Sequence, residues 1–498
     1  MMNKKILVIL VPIAVIILGT IGFLQQGLSG YDAFLSSLDL LKVKFDPYPF
    51  NPFIEAGRWL GVIFFFGVIY AALTTIVESG AVFVKTLSKD AVAVHGDSVY
   101  AEMLVKALGK KCIRSSKKVA FRAPRQVILF EKDSQAVEFY QKHAAELSKA
   151  AEVHLCLELG NRVSIDSENL FITNMSEVRA IDYWTRHYSK KSENITIVGS
   201  GQLAEAVLYW GLLTNIFDID CKNEYRLFGN FDRFIAIHEG LAAAIHDYGN
   251  DDIFFSEDEW YQDIDTLAAS DRIILCGDTL NNVENALDMR FAGMDCPIHL
   301  FAENNNIRTF SDDSVEIVGT LSTGNIKDVL LMDSIHTAGK LCHATYMAKE
   351  TRSPEEIDAD TLRTFIGSPE FAESWKKLDS FTRGSNYAAA IHDPQKKDLL
   401  AALGIDVTGM TAAENSRRYN ALNDHDKNRL QEIEHIRWCR YHLLNNWKRS
   451  DSEIRIGGEV KRKDSKNRLH TDLVPYAELP DKEKTKDSSS YETLSLRI

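Results

Sequence analysis

The run from Ile6 to Tyr31, ILVILVPIAVIILGTIGFLQQGLSGY, carries no charge, and WLGVIFFFGVIYAALTTIV from Trp59 to Val77 carries none either. A helix rises about 1.5 Å per residue, so roughly 20 apolar residues cross a hydrocarbon core of about 30 Å. Both runs are long enough, and they predict a two-span transmembrane unit over residues 1–82. A cleaved signal peptide is the competing reading of the first run, with Lys4 and Lys5 as its basic start. No small-residue cleavage pattern follows it, and a second apolar run does, which argues for a span. For the second run the competing reading is a buried core helix. Two spans put both termini on one side of the membrane. Lysines and arginines flank both sides of the spans, so they do not choose that side. Seven cysteines lie singly with no CxxC, as reduced thiols of a cytosolic compartment would. The expected location is therefore the inner (cytoplasmic) membrane, multi-pass, with N- and C-termini in the cytoplasm.

Between the runs, Phe34, Leu35, Leu38 and Leu41 recur at near-helical spacing, and Pro47 and Pro49 follow. That pattern predicts a short amphipathic helix and a proline-punctuated turn, either a re-entrant segment of an oligomeric pore or an interfacial helix. A potassium filter of the TVGYG kind is absent from the sequence, so potassium selectivity has no support.

The chain has 498 residues, enough for several domains, and a net charge of −13. Nucleic acid is excluded as a general partner, because binding it needs clustered Lys and Arg to displace counterions. After a connector near Phe83 to Asp90 the sequence reads strand, glycine turn and helix, in AVAVHGDSVYAEMLVKALG from Ala91. QVILFEKD is read as the second strand of that half. Near Asn194 the pattern restarts with NITIVGSGQLAEAVLYWGLL, and EYRLFGN, DRIILCGD, CPIHLFAE and VEIVGT continue it. Apolar strands alternating with helices predict parallel sheets covered on both faces. The expected fold class is membrane-anchored α/β: two transmembrane helices, tandem doubly wound Rossmann-like domains (83–193 and 194–350), a linker (351–374), and a mainly helical C-terminal domain (375–498).

Gly199, Gly201 and Ala204 fit G-x-G-x-x-A between a strand and a helix, with Gln202 opening the helix. There the first glycine makes the tight turn, the second lets a pyrophosphate approach, and the helix N-terminus supplies N–H donors. The acidic residue that would take the ribose hydroxyls is missing, since the next strand ends in Gly229-Asn230. In the first half Asp97 would repel a phosphate. NAD or another adenine nucleotide is the cofactor such a turn would take, and an empty scaffold is the alternative. These halves resemble the TrkA-N or RCK type of regulatory nucleotide-binding domain found beneath two-span channels and transporters. The resemblance implies ligand-controlled gating and no catalysed reaction. The sequence has no nucleophile elbow, Walker A or H-E-x-x-H.

In the C-terminal part, EIEHIRWCRYHLLNNW places His435, Cys439 and His442 on one helical face. Their spacing is not a common zinc pattern, and no metal is expected there. Glu434-His435-Ile436-Arg437-Trp438, then Trp447, then His470-Thr471-Asp472 through Tyr476, Leu479-Pro480, Lys484 and Asp487 resembles the ryanodine receptor repeat, the RyR domain. This chain departs from it at His442, Asn446 and Tyr387 and by the insertion 454–467. The resemblance implies a ligand site formed by Arg437, Trp438, Trp447, His470 and Tyr476, with aromatic surfaces beside cations for a nucleotide-type small molecule. The order of parts resembles a class of prokaryotic membrane proteins, expected to be homo-oligomers in the lipid bilayer. A ligand-controlled membrane effector or ion channel is the leading expectation. A non-conducting membrane-anchored sensor and a membrane-bound NAD(P)-dependent enzyme are the alternatives.

Overall fold

A computed structural model describes residues 4–43, 47–86, 88–114, 118–158, 169–303, 314–349 and 359–498. The chain divides into two units, Met1–Ala91 with Ser115–Pro124, and Val92–Arg114 with Arg125–Ile498.

Among the described residues the first unit contains three α-helices, α1 (Lys4–Gln25), α2 (Gly30–Leu41) and α3 (Pro52–Thr86). Of the two spans expected, Pro52–Tyr70 is long and apolar enough to cross a membrane. Leu10–Gln25 is apolar but shorter, among the described residues. The uncharged run beyond Gln25 does not extend the first helix. Gly27 takes a positive φ of 89°, and Ser29 caps α2 by accepting from the Asp32 N–H at 3.2 Å. α3 runs on through Thr86, so the first half of the expected connector is helix. The amphipathic helix forms, but its packed face is not the one the leucines predicted. Ala33, Ser37 and Leu40 are buried, whereas Phe34 and Leu35 are exposed. Small residues decide this, because they let helix backbones approach. A Cβ on Gly19 of α1 would lie 2.7 Å from the Ser37 Cβ, and one on Gly61 of α3 would overlap the Leu40 carbonyl. The expected turn falls partly on residues 44–46, outside the described residues.

The second unit holds two all-parallel sheets. β1 (Val92–His95), β2 (Cys112–Arg114), β3 (Arg125–Ile128), β4 (Glu152–Leu157) and β5 (Leu170–Asn174) form the first, in the order β2-β1-β3-β4-β5. The second comprises β6 (Asn194–Val198), β7 (Glu224–Phe228), β8 (Asp252–Ser256), β9 (Arg272–Leu275), β10 (Ile298–Phe301) and β11 (Val315–Val318). Its order is β11-β10-β9-β6-β7-β8. QVILFEKD therefore supplies the third strand of its half, not the second. β2 spans three residues and β8 is a partly exposed edge, too short and too mixed to register as apolar runs.

The two halves are not independent along the chain. The helix Met175–His187 follows β5, yet its Tyr183 and Trp184 are fully buried against Ile195, Val207 and Leu208 of the second half. Conversely Ile326 and Leu330, in the helix after β11, pack with Val92, Leu104 and Val127 of the first. Each sheet is closed by a helix from the far end of the other. The expected boundary at 193/194 is a boundary between strands, while the packing crosses it.

The segment expected as a linker is largely structured. Residues 351–358 lie outside the described residues, but Ala359–Ile366 and Pro369–Lys377 are helices. Their Leu362, Phe371 and Trp375 are buried with Leu341, Ala344 and Ala348 of the helix Asp333–Lys349. The C-terminal part is mainly helical and centres on the helix Asp424–Leu444, whose Ile433, Ile436 and Cys439 join the core of the second half.

Polar contacts also tie that preceding helix to the first sheet. Arg125 reaches Glu152 at 2.7 Å and Asp333 at 3.0 Å, and Lys340 lies 3.9 Å from Glu152. The His154 ring, 3.7 Å away, lowers the Glu152 carboxyl most, burial opposes it, and Arg125 and Lys340 add to it, leaving it at about 2. A depressed carboxylate contributes stability that is complete above its unfolded value of 4.5 and is lost as pH falls toward about 2. Chemical unfolding followed over that window is expected to show falling stability, with a smaller slope in Glu152→Gln. Equal slopes would show that the pair is not coupled to folding.

Candidate functional site

The strand β6 ends in Gly199-Ser200-Gly201, and the helix Gln202–Thr214 begins directly after it. Gly199 and Gly201 adopt φ of 137° and 86°, values that only glycine takes easily. A Cβ on Gly199 would sit 2.9 Å from the Cys276 carbonyl carbon, beyond the end of β9. Around a Cβ on Gly201 nothing lies within 4 Å, so that side of the turn is open. Ser200 Oγ accepts from the Asn230 N–H at 2.9 Å, closing the turn against the end of β7. Ala204 is fully buried in the core and Gln202 borders a cavity. The expected phosphate turn is thus built as a turn. Glu205, one helical turn in, is paired with Arg233.

The cavity beside Gln202, of about 590 Å³, lies between the second sheet's helices and the C-terminal part. Tyr209 and Arg233 line one side, and Phe381, Trp447 and Arg468 the other. Trp447 is 3 % exposed and stacks on Phe381 at 4.7 Å, interplanar angle 27°.

A second cavity, of about 440 Å³, opens within the C-terminal part, and Arg437, Trp438 and His470 all line it. These three of the five expected ligand residues come together. Trp447 belongs to the first cavity, and Tyr476 lines neither: its hydroxyl donates to Gln431 Oε1 at 2.7 Å and Lys484 lies over its ring. Of the five expected residues, the structure brings three to one cavity and places two away from it. Sequence spacing along two segments does not report which way a ring turns.

Arg437 is 2 % exposed, and its guanidinium donates to Glu434 from Nε at 3.1 Å and from Nη2 at 2.8 Å. Glu434 also meets Lys396 at 3.2 Å. Lys396 lies 3.5 Å from Asp393, which Arg497 grips at 2.8 and 3.0 Å. The result is a buried relay of three cations and two carboxylates. Burial alone would raise the Glu434 carboxyl, but Arg437 and Lys396 hold it well below the usual carboxylate range. Asp487, which also lines the cavity, is pushed well above that range by burial and by Glu434, against Arg437. Arg437 Nη1 is buried and has no hydrogen-bond partner among the described residues. A guanidinium N–H left without an acceptor in such a place calls for one.

Trp438 packs among imidazoles, 3.9 Å from His442, 4.9 Å from His470 and 5.9 Å from His435 between ring centroids. Burial lowers His470 to about 4 and pulls His442 well below its ordinary value, so both rings are neutral at physiological pH. Lys463 and Lys486 add ammonium groups to the wall. The candidate metal face of this helix is occupied otherwise: His435 Nε2 meets Val474 O at 2.7 Å, and His442 Nδ1 meets Trp438 O at 2.9 Å. Sequence reading named Asp487 in the spaced motif without giving it a place in the site, and it missed Lys396, Asp393 and Arg497. Their one local signal, an Asp393/Lys396 pair at i,i+3, does not distinguish a buried relay from a surface pair.

Comparison with protein-family models, with curated proteins and with solved structures finds no match to this chain.

Proposed function

We propose that this chain is a ligand-controlled membrane effector or ion channel, in which a nucleotide-type anion bound by its C-terminal and α/β parts biases an oligomeric transmembrane unit. The observation that carries the reading is that Arg437, whose buried Nη1 has no hydrogen-bond partner among the described residues, lines one cavity together with Trp438: a cation for phosphate and a ring for a base. Residues from Glu434 to Asp487 resemble the RyR domain. The two parallel sheets support TrkA-N-like halves, because the second has the strand order of doubly wound dinucleotide-binding folds and the first that of flavodoxin-like ones. In this reading the first unit sits in the inner membrane with both termini in the cytoplasm, and the protein is a homo-oligomer. Apolar side chains exposed along α1 (Leu10, Ile13, Ile17) and α3 (Ile63, Phe66, Tyr70) are what a lipid bilayer or a second copy would cover. A ligand shifts such a unit only through different affinities for its states.

A second reading, a non-conducting membrane-anchored sensor, is favoured by α2, which packs on α1 and α3 through Ala33, Ser37 and Leu40 and not as a filter loop. The test uses full-length protein in mild detergent. Small molecules released on denaturation are identified by mass spectrometry, and ion flux is then measured in liposomes with and without the released compound. An anionic nucleotide that raises flux supports the channel, and binding without flux selects the sensor. Absence of binding to any adenine or cyclic nucleotide by an intact oligomer overturns both.

A further inference from the structure

Away from both cavities, His187, His299 and Glu316 bring three donor atoms within 4.8 Å of one another. They come from three elements. His187 sits in the last turn of the crossover helix Met175–His187, His299 lies on β10, and Glu316 is its direct partner on the edge strand β11. His187 Nε2 is 3.5 Å from one Glu316 carboxylate oxygen, and His299 Nε2 is 3.9 Å from the other. These separations are longer than a good N–H···O bond. They are close to the roughly 3.4 Å that separates donors held about 2.0–2.2 Å from one tetrahedral ion.

We propose that His187, His299 and Glu316 form a binding site for a divalent transition-metal ion of the zinc type, with a fourth position open to water. Two imidazoles and a carboxylate are a donor set that zinc accepts. The orientation of the set is fixed from behind. His299 Nδ1 lies 2.6 Å from the Tyr183 hydroxyl, and the Tyr183 ring stacks on His187 at 4.9 Å. With Nδ1–H donated to the Tyr183 oxygen, the His299 Nε2 lone pair faces the ion, which is the outer-shell arrangement that metal-ligating histidines use. Arg272, which also reaches Tyr183, is paired with Glu193 and so is not an uncompensated positive charge beside the site. Cross-strand His299 and Glu316 form a rigid base. His187 is the third ligand, carried by the helix Met175–His187 that passes from the first sheet to the second. A bound ion would therefore pin that crossover to the edge of the second sheet.

The experiment uses the full-length protein, stripped with a chelator and titrated with Zn²⁺ against a chromophoric competitor, with Co²⁺ as the spectroscopic probe. The wild type is expected to take up an equivalent of Zn²⁺ and to give the visible absorption of four-coordinate Co²⁺ without a thiolate charge-transfer band. His187→Ala and Glu316→Gln change accessible side chains. Each is expected to weaken binding by at least about tenfold, the scale on which even outer-shell changes act. His442→Ala, in the C-terminal helix, is expected to leave binding unchanged. No uptake by folded wild-type protein, unchanged affinity in both ligand variants, or loss confined to His442→Ala would each overturn the proposal.

Discussion

Replacing Arg440 with alanine is expected to cost about 3–5 kcal/mol of stability, the usual consequence of breaking a buried ion pair by removing one partner. Arg440 and Asp251 have side chains 3 % and 2 % exposed and meet at 2.7 Å. The guanidinium also donates to Tyr248 O at 2.7 Å and to Leu212 O at 3.0 Å, so alanine orphans a buried carboxylate and two carbonyls together. Asp251 keeps the Asn223 N–H at 2.8 Å, which satisfies part of its acceptor capacity but none of its charge. Because Arg440 lies on the helix Asp424–Leu444 and Asp251 just before β8, the variant loosens the C-terminal part from the second sheet. Denaturant unfolding and limited proteolysis of the full chain measure the effect. Arg440→Met with Asp251→Leu is expected to recover a large share of the loss, since no lone charge then remains buried. A single variant within about 0.5 kcal/mol of wild type, the range of ordinary surface changes, would show that the pair is not desolvated.

The second large effect concerns ligand affinity. Arg437→Gln removes a buried guanidinium whose Nη1 has no hydrogen-bond partner among the described residues, from a side chain that lines the 440 Å³ cavity. Losing a desolvated charge-assisted contact costs about 2–4 kcal/mol, which is roughly 30- to 1000-fold in affinity. Glu434 would then be left with Lys396, so Glu434→Gln/Arg437→Gln, which removes one cation and one carboxylate, serves as the variant that leaves the relay's net charge unchanged. Trp438→Leu separates the two halves of the site. It is expected to weaken a nucleotide and leave inorganic pyrophosphate unaffected, whereas Arg437→Gln weakens both. Calorimetric titration of folded variants with the two ligands decides the matter. Unchanged affinity for both in a folded Arg437→Gln variant would remove the cavity from consideration.

These two arginines, three positions apart on one helix, differ in what a local pattern can mark. Arg437 and Trp438 were legible as part of a spaced motif, and Gly199 and Gly201 as a turn, because backbone geometry there admits little but glycine. Arg440 carried no such mark. Its role depends on Asp251, 189 positions earlier, and no local pattern announces a partner at that distance. Trp447 and Tyr476 were expected in the Arg437 site because the resemblance implied it, and they do not line the cavity that Arg437 lines. The face of α2 was misread for a related reason. Its leucines marked an amphipathic helix, but Gly19 and Gly61 on the neighbouring helices decided that Ala33, Ser37 and Leu40 pack inward.

Uncharged runs, apolar strands, glycine turns and helix periodicities act through a few neighbouring residues, and the sequence alone therefore determined the α/β class and most of the parallel strands. Which helix closes which sheet, the joining of residues 359–374 to the core, and the gathering of Arg437, Trp438 and His470 around one cavity were decided only in the tertiary structure. So was the meeting of His187, His299 and Glu316. Each depends on burying apolar surface and pairing charge between segments far apart in the chain, and those free energies exist only once the segments meet.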